Sequence, residues 1–198
     1  MGLSATAQNI PIGNWVAGIS INSCSYTSSA KNLCTLQGAS GSMAGICYCG
    51  TYNYGVLKKL TLTAEGGFDS YAAGAAGYEA GVGSEYDFKI SHRRDPFDIY
   101  LNVIGGYTHI NYKGNLITIS GKFVAPGIFY AAGLGIRKYI SHHAGLFVDA
   151  NYALYHYSGG EVITQDNQKT PYMLNFSGYN FGGGIYVIFG PKHTTPME

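Results

Sequence analysis

Polar and apolar residues alternate along much of this chain, most regularly from Tyr78 to Ile90. Side chains two positions apart share one face of a β-strand, so this period predicts a strand and not a helix. A strand of this length spans roughly 40 Å and suits a tilted crossing of a bilayer. One face carries Tyr78, Ala80, Val82, Tyr86, Phe88 and Ile90, and the other carries Glu79, Gly81, Gly83, Glu85, Asp87 and Lys89. We therefore expect the first face to meet lipid and the second to line a barrel interior.

Seven further stretches show this period and complete a predicted set of eight antiparallel strands. They lie at about 15–21, 43–52, 59–69, 98–112, 127–140, 144–157 and 179–190, with long polar connections at 22–42 and 158–178. Short turns near Asn53, His92 and Ser141 alternate with connections near Lys31, Ala73, Leu116 and Asp166. This arrangement is typical of bacterial outer-membrane barrels, whose short turns face the periplasm. The predicted fold is all-β, an eight-stranded antiparallel up-and-down transmembrane β-barrel.

Composition supports a membrane location. Only 12% of the residues are charged, beside 29 Gly, 18 Tyr and 9 Phe, which would leave a soluble surface poor in charge. No apolar run approaches the roughly 20 residues of a membrane helix, so strands are the expected spanning elements. The net charge of +1 gives no electrostatic footprint for nucleic acid.

The barrel is expected to occupy residues 15–190. Residues 1–14 form an N-terminal segment in which Ala5-Thr6-Ala7 has the small-x-small form of a signal cleavage site, so its start is the remnant of a signal or a fusion scar. Residues 191–198 form a tail in which Pro191 and Pro196 indicate a linker.

From Trp15 to Gly190 the chain resembles the small eight-stranded barrels of the OmpA and OmpX type. Gly184, Val187 and Phe189 match the Gly-x-x-apolar-x-aromatic signal by which such barrels are recognised for insertion. The resemblance implies a monomer in the bacterial outer membrane, with outer-membrane lipid and the barrel-assembly machinery as partners. The simplest members of this group stop at the final aromatic residue, whereas this chain continues, as OmpA-type proteins do before a periplasmic domain.

Charged residues at the strand positions predicted to face inward form the largest group of chemically active side chains in the sequence. Eight strands leave an interior just wide enough for side chains, so we expect a packed, hydrogen-bonded plug. Buried charges persist only when paired, and carboxylates of the fourth and seventh predicted strands come to a depth similar to that of Arg137 on the sixth. Arg137 is the predicted hub of an interior ion network formed by Arg137, Glu85, Asp87, Asp149, Lys59 and Lys89.

A second inward group lies toward the end with the longer connections. Glu65, Asp69 and Glu79 have no basic residue of inward parity near them. Such a cluster either stays partly protonated or holds a metal ion, unless water in an open barrel mouth solvates it. We favour water, and we predict neither a metal nor a cofactor.

All four cysteines lie in the first quarter of the chain, with a spacing that matches no common zinc pattern. An oxidising compartment favours disulfides. If 33–38 closes a hairpin, Cys24 comes opposite Cys47, so we prefer Cys24 to Cys47 with Cys34 to Cys49. Reduced, buried thiols are the alternative.

No enzyme is predicted. His142 and His143 sit in a turn, His109 and His156 have outward parity, and His92 neighbours arginines. The local patterns of lipid A deacylases and palmitoyltransferases of this architecture are not found in the sequence.

The longer connections are rich in Tyr, Ser, Asn and Gly, the composition with which antibody loops make adaptable contacts. They either bind a partner or form a neutral cover. The sequence favours a non-enzymatic outer-membrane protein that anchors the envelope or presents loops for adhesion to a host or envelope partner. The alternatives are a narrow pore for small solutes and a soluble lipocalin-like binder with its apolar face turned inward.

Overall fold

The computed structural model describes residues 13–57, 59–89, 97–116, 119–141, 143–163 and 169–190. Eight antiparallel strands close into a barrel in which neighbours in sequence pair and β1 pairs with β8. The predicted fold class is confirmed. The strands are β1 Trp15–Asn32, β2 Gly38–Leu57, β3 Leu60–Tyr71, β4 Ala75–Lys89, β5 Phe97–Leu116, β6 Ile119–Tyr139, β7 Ala144–Ile163 and β8 Lys169–Phe189.

A 3-10 turn at Ala72–Gly74 joins β3 to β4. Among the residues that the structure describes, no helix is long and apolar enough to cross a membrane. The predicted turn at His92, the connection at Asp166, the tail 191–198 and most of the segment 1–14 lie outside the described residues.

The register of the strands sets their tilt. Following cross-strand partners once round the barrel from Trp15 leads back to β1 at Ser25, ten residues further along the strand. With about 3.3 Å per residue and about 4.8 Å between strands, a stagger of ten over eight strands gives a tilt of roughly 40°. Each residue therefore rises roughly 2.5 Å along the barrel axis.

The outward face carries an apolar band between two aromatic girdles. On β4, Phe88 and Tyr78 face outward ten residues apart, roughly 25 Å along the axis, which is the height of the apolar band of transmembrane barrels. Val82 lies between them and is 71% exposed. The lower girdle comprises Trp15, Tyr52, Tyr86, Phe88 and Phe189, and the upper girdle comprises Tyr48, Phe68, Tyr78, Tyr107, Tyr130, Tyr152, Tyr179 and Phe181. The outward side chains thus form a surface suited to lipid.

Above the upper girdle, six strands continue as three long hairpins, β1–β2, β5–β6 and β7–β8. On β2, Gly38 lies ten residues beyond Tyr48, roughly 25 Å higher along the axis. We call the part between the girdles the lower storey and the part above the upper girdle the upper storey. Polarity is reversed in the upper storey, where Thr27 and Ser29 face outward and Tyr26 is buried inside.

This reversal explains why the predicted connections at 22–42 and 158–178 are wrong. Most of their residues belong to strands, and a tight loop at 33–37 joins β1 to β2. The alternation of inward and outward positions continues unbroken through these segments, but above the girdle the apolar residues occupy the inward positions and the polar residues the outward ones. In the sequence this exchange resembles an irregular loop. The turn predicted at Asn53 is also wrong, since Tyr54 still pairs with Trp15 and β2 runs on to Leu57.

The hairpin β3–β4 is shorter and ends at about the level of the upper girdle. The last residue of β2 that pairs with β3 is Gly45, opposite Tyr71. On the other side, β5 pairs with β4 only as far as Tyr112, opposite Ala75. The barrel wall is therefore lower at this hairpin than around the rest of the rim.

Candidate functional site

Arg137 on β6 lies near the lower end of the interior, against two carboxylates of β4. Its Nη2 donates to Glu85 Oε2 at 2.6 Å and its Nη1 donates to Asp87 Oδ1 at 3.4 Å. The ring centroids of Tyr100 and Tyr186 lie 4.6 and 5.5 Å from the guanidinium carbon. Arg137 is only 3% exposed, so the charges are compensated inside the barrel and not by solvent.

Of the other described residues of the predicted network, Asp149 and Lys59 form no ion pair with Arg137, although Asp149 accepts a hydrogen bond from Tyr100, whose ring lies against the guanidinium. Asp149 accepts a hydrogen bond from Asn151 Nδ2 at 3.3 Å, and Lys59 is exposed at the β2–β3 turn. The side chain of Lys89 lies outside the described positions. Asp98, which was not predicted to belong to the network, is fully buried and accepts a hydrogen bond from Tyr139 Oη at 2.9 Å. Its inward parity, two residues before Tyr100, was the signal that could have found it.

A cavity of about 50 Å³ occupies the middle of the interior. Small and polar side chains line it, among them Ser20, Thr51, Asn102, Asp149 and Asn151. This volume has room for a few water molecules, and the polar lining offers them hydrogen-bond partners. Arg137 and Tyr186 lie at its lower end and Phe129 and Tyr155 at its upper end.

A layer of thiols and carboxylates closes the top of this cavity at the level of the upper girdle, and Cys49 and Glu79 of this layer line the cavity. The sulfur atoms of Cys47 and Cys49 are 2.7 Å apart, and the Cys47 thiol donates to Glu79 Oε1 at 3.7 Å. Tyr155 Oη donates to Glu79 Oε2 at 3.0 Å. Asp69 lies opposite Cys47 in the β2–β3 register and is 1% exposed.

The predicted acidic cluster is thus divided between two levels. Glu65 and Glu79 both line the cavity, and Glu79 also contacts Cys47 in the layer at its top, where Asp69 lies opposite Cys47. The expected water-filled mouth is wrong, because the interior of the upper storey is an apolar, aromatic core. Its largest buried side chains include Tyr26, Ile110, Tyr112, Phe129, Tyr157, Leu174 and Phe176.

Ring contacts tie this upper core together. The ring centroid of Tyr155 lies 5.3 Å from that of Tyr26 and 5.7 Å from that of Phe129, and the Tyr157 and Phe176 centroids are 5.5 Å apart. Two hydroxyl groups of the core have polar partners: Tyr26 Oη donates to Asn180 Oδ1, and Tyr157 Oη lies 3.1 Å from Thr108 Oγ1. No role was predicted for these side chains: Tyr26 and Phe176 were expected in connections, and Tyr155 and Tyr157 at the end of a strand.

The predicted disulfides are not formed, and all four cysteines are free. Cys24 lies opposite Gly45, so Cys47 is two residues out of register with it. Cys34 is exposed in the β1–β2 loop, more than ten strand residues from Cys49, whereas a disulfide requires Cα atoms within about 7 Å. The register that the turn length imposes is the reason for both errors.

A scan against protein-family models and a search of curated protein sequences found no match. Solved structures do match. The outer membrane protein OprG from Pseudomonas aeruginosa is similar over 91% of this chain and 97% of its own, with a TM-score of 0.57 and 15% identity. The outer membrane protein AlkL is similar over 100% of this chain and 99% of its own, with a TM-score of 0.56 and 12% identity. The outer membrane protease OmpT from Escherichia coli is similar over 89% of this chain and 97% of its own, with a TM-score of 0.51 and 10% identity.

The fold is that of the outer-membrane β-barrels. The sequence resemblance to small outer-membrane barrels is therefore confirmed at the level of fold. The lipid-suited band between the girdles agrees with this fold and with the predicted location in the bacterial outer membrane. One of the similar barrels is a protease, so the fold alone does not decide whether a barrel is an enzyme.

The described histidines of this barrel lie on its outside. The His109 ring stacks on Tyr78 with centroids 5.4 Å apart, and His156 Nδ1 is 2.6 Å from Asn175 Oδ1. His143 is exposed at the β6–β7 turn, and His92 and His142 lie outside the described residues. None of these three described histidines is hydrogen-bonded to an interior carboxylate.

Proposed function

We propose that this protein is a non-enzymatic outer-membrane barrel whose lower storey anchors it in lipid and whose upper storey presents three hairpins as a recognition surface. The observation that carries the proposal is the reversal of polarity at the upper girdle. A lipid-facing band with a polar interior changes there into a polar outer face around an aromatic core. Such a core supports strands that stand in water, as in a soluble domain.

The upper storey is built as a pre-organised surface. Its hairpins are paired strands that pack on a common core, so less conformational entropy is lost when a partner binds than with free loops. At the β1–β2 tip, Asn32 Oδ1 accepts from the backbone N–H of Cys34 at 2.8 Å and of Thr35 at 3.2 Å. This turn exposes Leu33 and Leu36, the latter 67% exposed, as apolar anchors for a partner.

The outer face around the hairpins supports recognition by hydrogen bonds. It presents hydroxyl and amide groups on neighbouring strands, including Thr27, Ser29, Asn175 and Ser177. The described charges nearby include Glu161 and Lys169, which pair with each other at 2.9 Å. A partner with apolar and hydrogen-bonding groups fits this face better than a strongly charged one.

The end of β8 supports the proposed route of assembly and the anchoring role. Val187 and Phe189 face outward at the lower girdle, where an insertion signal formed with Gly184 would be accessible to the barrel-assembly machinery. We expect the barrel to act as a monomer, because its strands close on themselves and leave no open sheet edge in the lower storey.

Cys34 provides a direct test of the orientation. It is the exposed cysteine, whereas Cys24, Cys47 and Cys49 are buried. A membrane-impermeant maleimide should label wild-type protein on intact cells and should not label Cys34→Ser. In a Cys34→Ser background, Ser141→Cys at the opposite end should react only after the outer membrane is permeabilised. Labelling of Ser141→Cys on intact cells would contradict the proposal.

The recognition role is tested by adhesion. Cells that display the wild-type barrel should bind immobilised extracellular-matrix glycoproteins more strongly than cells that display a Leu33→Ser, Leu36→Ser double variant at equal surface density. A matched variant at the lower turn, Ile140→Ser, should bind like wild type. Equal binding of all three and of cells without the barrel would exclude an adhesive role for these tips.

A second candidate function is passage of small solutes. The cavity in the lower storey and the low wall above β3–β4 favour it. The aromatic core of the upper storey and the Arg137 cluster count against it, because each would have to move.

A further inference from the structure

The thiol and carboxylate layer between the storeys brings soft and hard metal ligands together in one buried place. We propose that Cys47 and Cys49, together with Glu79 and Asp69, form a binding site for a divalent cation that accepts mixed sulfur and oxygen ligands, with zinc as the expected ion. Two thiolates and two carboxylates would complete a four-coordinate shell of the kind that Zn²⁺ prefers.

Three of the donor atoms already lie together. One atom each of Cys47, Cys49 and Glu79 lies within 4.8 Å of the other two. Both cysteines face inward from β2 because they are two residues apart, and Glu79 reaches them from β4 across β3. The residue of β3 that separates them is Gly67. A Cβ there would lie 3.1 Å from Glu79 Oε1 and 3.3 Å from Cys49 Sγ, so a larger residue would push the donors apart.

Asp69 supplies an independent reason to expect a cation. It is 1% exposed, and within the part of the chain that the structure describes neither of its carboxylate oxygens accepts a hydrogen bond of ordinary geometry, although the Cys47 thiol and the Tyr71 hydroxyl lie near it. A buried carboxylate without a donor is costly unless it is protonated or faces a cation. Its position opposite Cys47 places it beside the three gathered ligands, and its side chain would have to move toward them to become the fourth.

Two further groups hold the ligands in place. Tyr155 donates to Glu79 Oε2 at 3.0 Å, which leaves Oε1 directed toward Cys47. Asn22 Nδ2 donates to Cys49 Sγ at 3.7 Å and would stabilise a thiolate. Such second contacts orient ligands and raise metal affinity.

The charge balance also favours a cation. The basic side chain that the described interior contains is Arg137, which binds Glu85 and Asp87 at the far end of the cavity. Glu79, Asp69 and Glu65 therefore share the upper half of the interior without it. Binding a divalent ion as two thiolates releases two thiol protons, so the net charge of this layer stays the same, but Glu79 and Asp69 gain a cation in direct contact.

A disulfide between Cys47 and Cys49 is the competing outcome. Two residues on one strand face have Cα atoms near the upper limit of disulfide geometry, about 6.6 Å apart at 3.3 Å per residue. Such a bond would remove both thiolates and with them the site.

The test is metal loading of the whole chain, refolded in detergent under reducing conditions with Co²⁺ or Zn²⁺ and freed of excess metal by gel filtration. We expect one metal ion per chain and, with Co²⁺, the near-ultraviolet charge-transfer absorption of thiolate ligands. Cys34→Ser and Cys24→Ser are matched controls and should retain both signals. Cys47→Ser should lose the charge-transfer band or most of it, and Glu79→Gln, which keeps the side-chain shape, should weaken binding.

Tyr155→Phe distinguishes a metal site, whose affinity depends on the hydrogen bond to Glu79, from a cluster of residues that only packs together. It should weaken metal affinity roughly 10- to 100-fold while the barrel remains folded, as judged by its heat-sensitive mobility on gels and by the fluorescence of Trp15. The proposal is overturned if the folded, reduced wild type binds no metal, or if binding is unchanged in both Cys47→Ser and Glu79→Gln. It is also overturned if protein taken directly from membranes carries a disulfide between Cys47 and Cys49.

Discussion

The two storeys of this barrel are built from the same strands but place their apolar residues on opposite sides. In the lower storey Val82 faces lipid, and Glu85 and Arg137 pair inside. In the upper storey Thr27 faces outward and Phe176 is buried inside. The change follows the solvent around the barrel: lipid accepts apolar side chains and water accepts polar ones. A strand can cross this boundary without a break because its inward and outward positions keep alternating, and only the type of residue at each kind of position changes.

The largest expected effect concerns the lower interior. Arg137→Met leaves Glu85 and Asp87 buried without their cation and should cost roughly 3 to 5 kcal/mol of unfolding free energy. Urea titration of barrels folded into lipid vesicles, followed by Trp15 fluorescence, measures it. Replacing Arg137 and Glu85 together by apolar residues should recover much of the loss.

A double-mutant cycle gives the control for this prediction. Arg137 should couple to Glu85 and Asp87 more strongly than to Asp149, which accepts a hydrogen bond from Asn151 and forms no ion pair with Arg137. Absence of coupling to both Glu85 and Asp87 would disprove the proposed network.

The upper interior should respond to loss of apolar volume and not to loss of charge. Phe176→Ala removes a ring that lies among Tyr26, Tyr71 and Tyr157 and should cost roughly 3 to 5 kcal/mol. The same substitution at Phe181, on β8 but facing lipid at the upper girdle, should cost less because it leaves no internal cavity. If the two variants are equally destabilised, the upper core is not packed as described.

Substitution by arginine at one outward position of each storey compares their outer surfaces. Val82→Arg places a charge near the middle of the lipid band and should cost roughly 2 to 4 kcal/mol. Thr27→Arg, outward on β1 in the upper storey, should change stability by no more than about 0.5 kcal/mol. Both are measured by folding into vesicles, with Val82→Leu as the apolar control. Equal tolerance of arginine at both positions in detergent-free solution would contradict a membrane location.

The smallest expected signal is electrical. In planar bilayers the wild-type barrel should show no large, steady, ohmic current, because an eight-stranded interior is filled by its side chains. Phe176→Ala, which opens the upper core alone, should not create one while the Arg137 cluster stays intact. A reproducible porin-like open state of the wild type would favour the solute-passage function.

Features that depend on the order of residues within one strand, such as the facing of its side chains, could be predicted from the sequence. The inward or outward facing that it assigned is found along the strands, for example at Ile46, Cys47 and Tyr48, but Lys59, which was expected to face inward, is exposed at the β2–β3 turn. It failed where the phase of alternation changes: residues 22–32 of β1 were expected to be a loop, although Tyr26 and Ala30 face inward in regular strand geometry. The alternative of a soluble binder assumed an apolar face that turns inward, and the upper storey has this feature although the lower storey does not.

Strand number, barrel closure and the two faces followed from the sequence alone, because a period of two and alternating turn lengths are local properties of a chain. Which side chains meet inside was decided by the tertiary structure. A stagger of ten residues brings Glu79 to Cys47 and Cys49 and moves Cys24 out of reach of the predicted disulfide. The physical reason is that contacts across strands depend on register, and register is set jointly by turn lengths, strand tilt and the closure of the whole barrel.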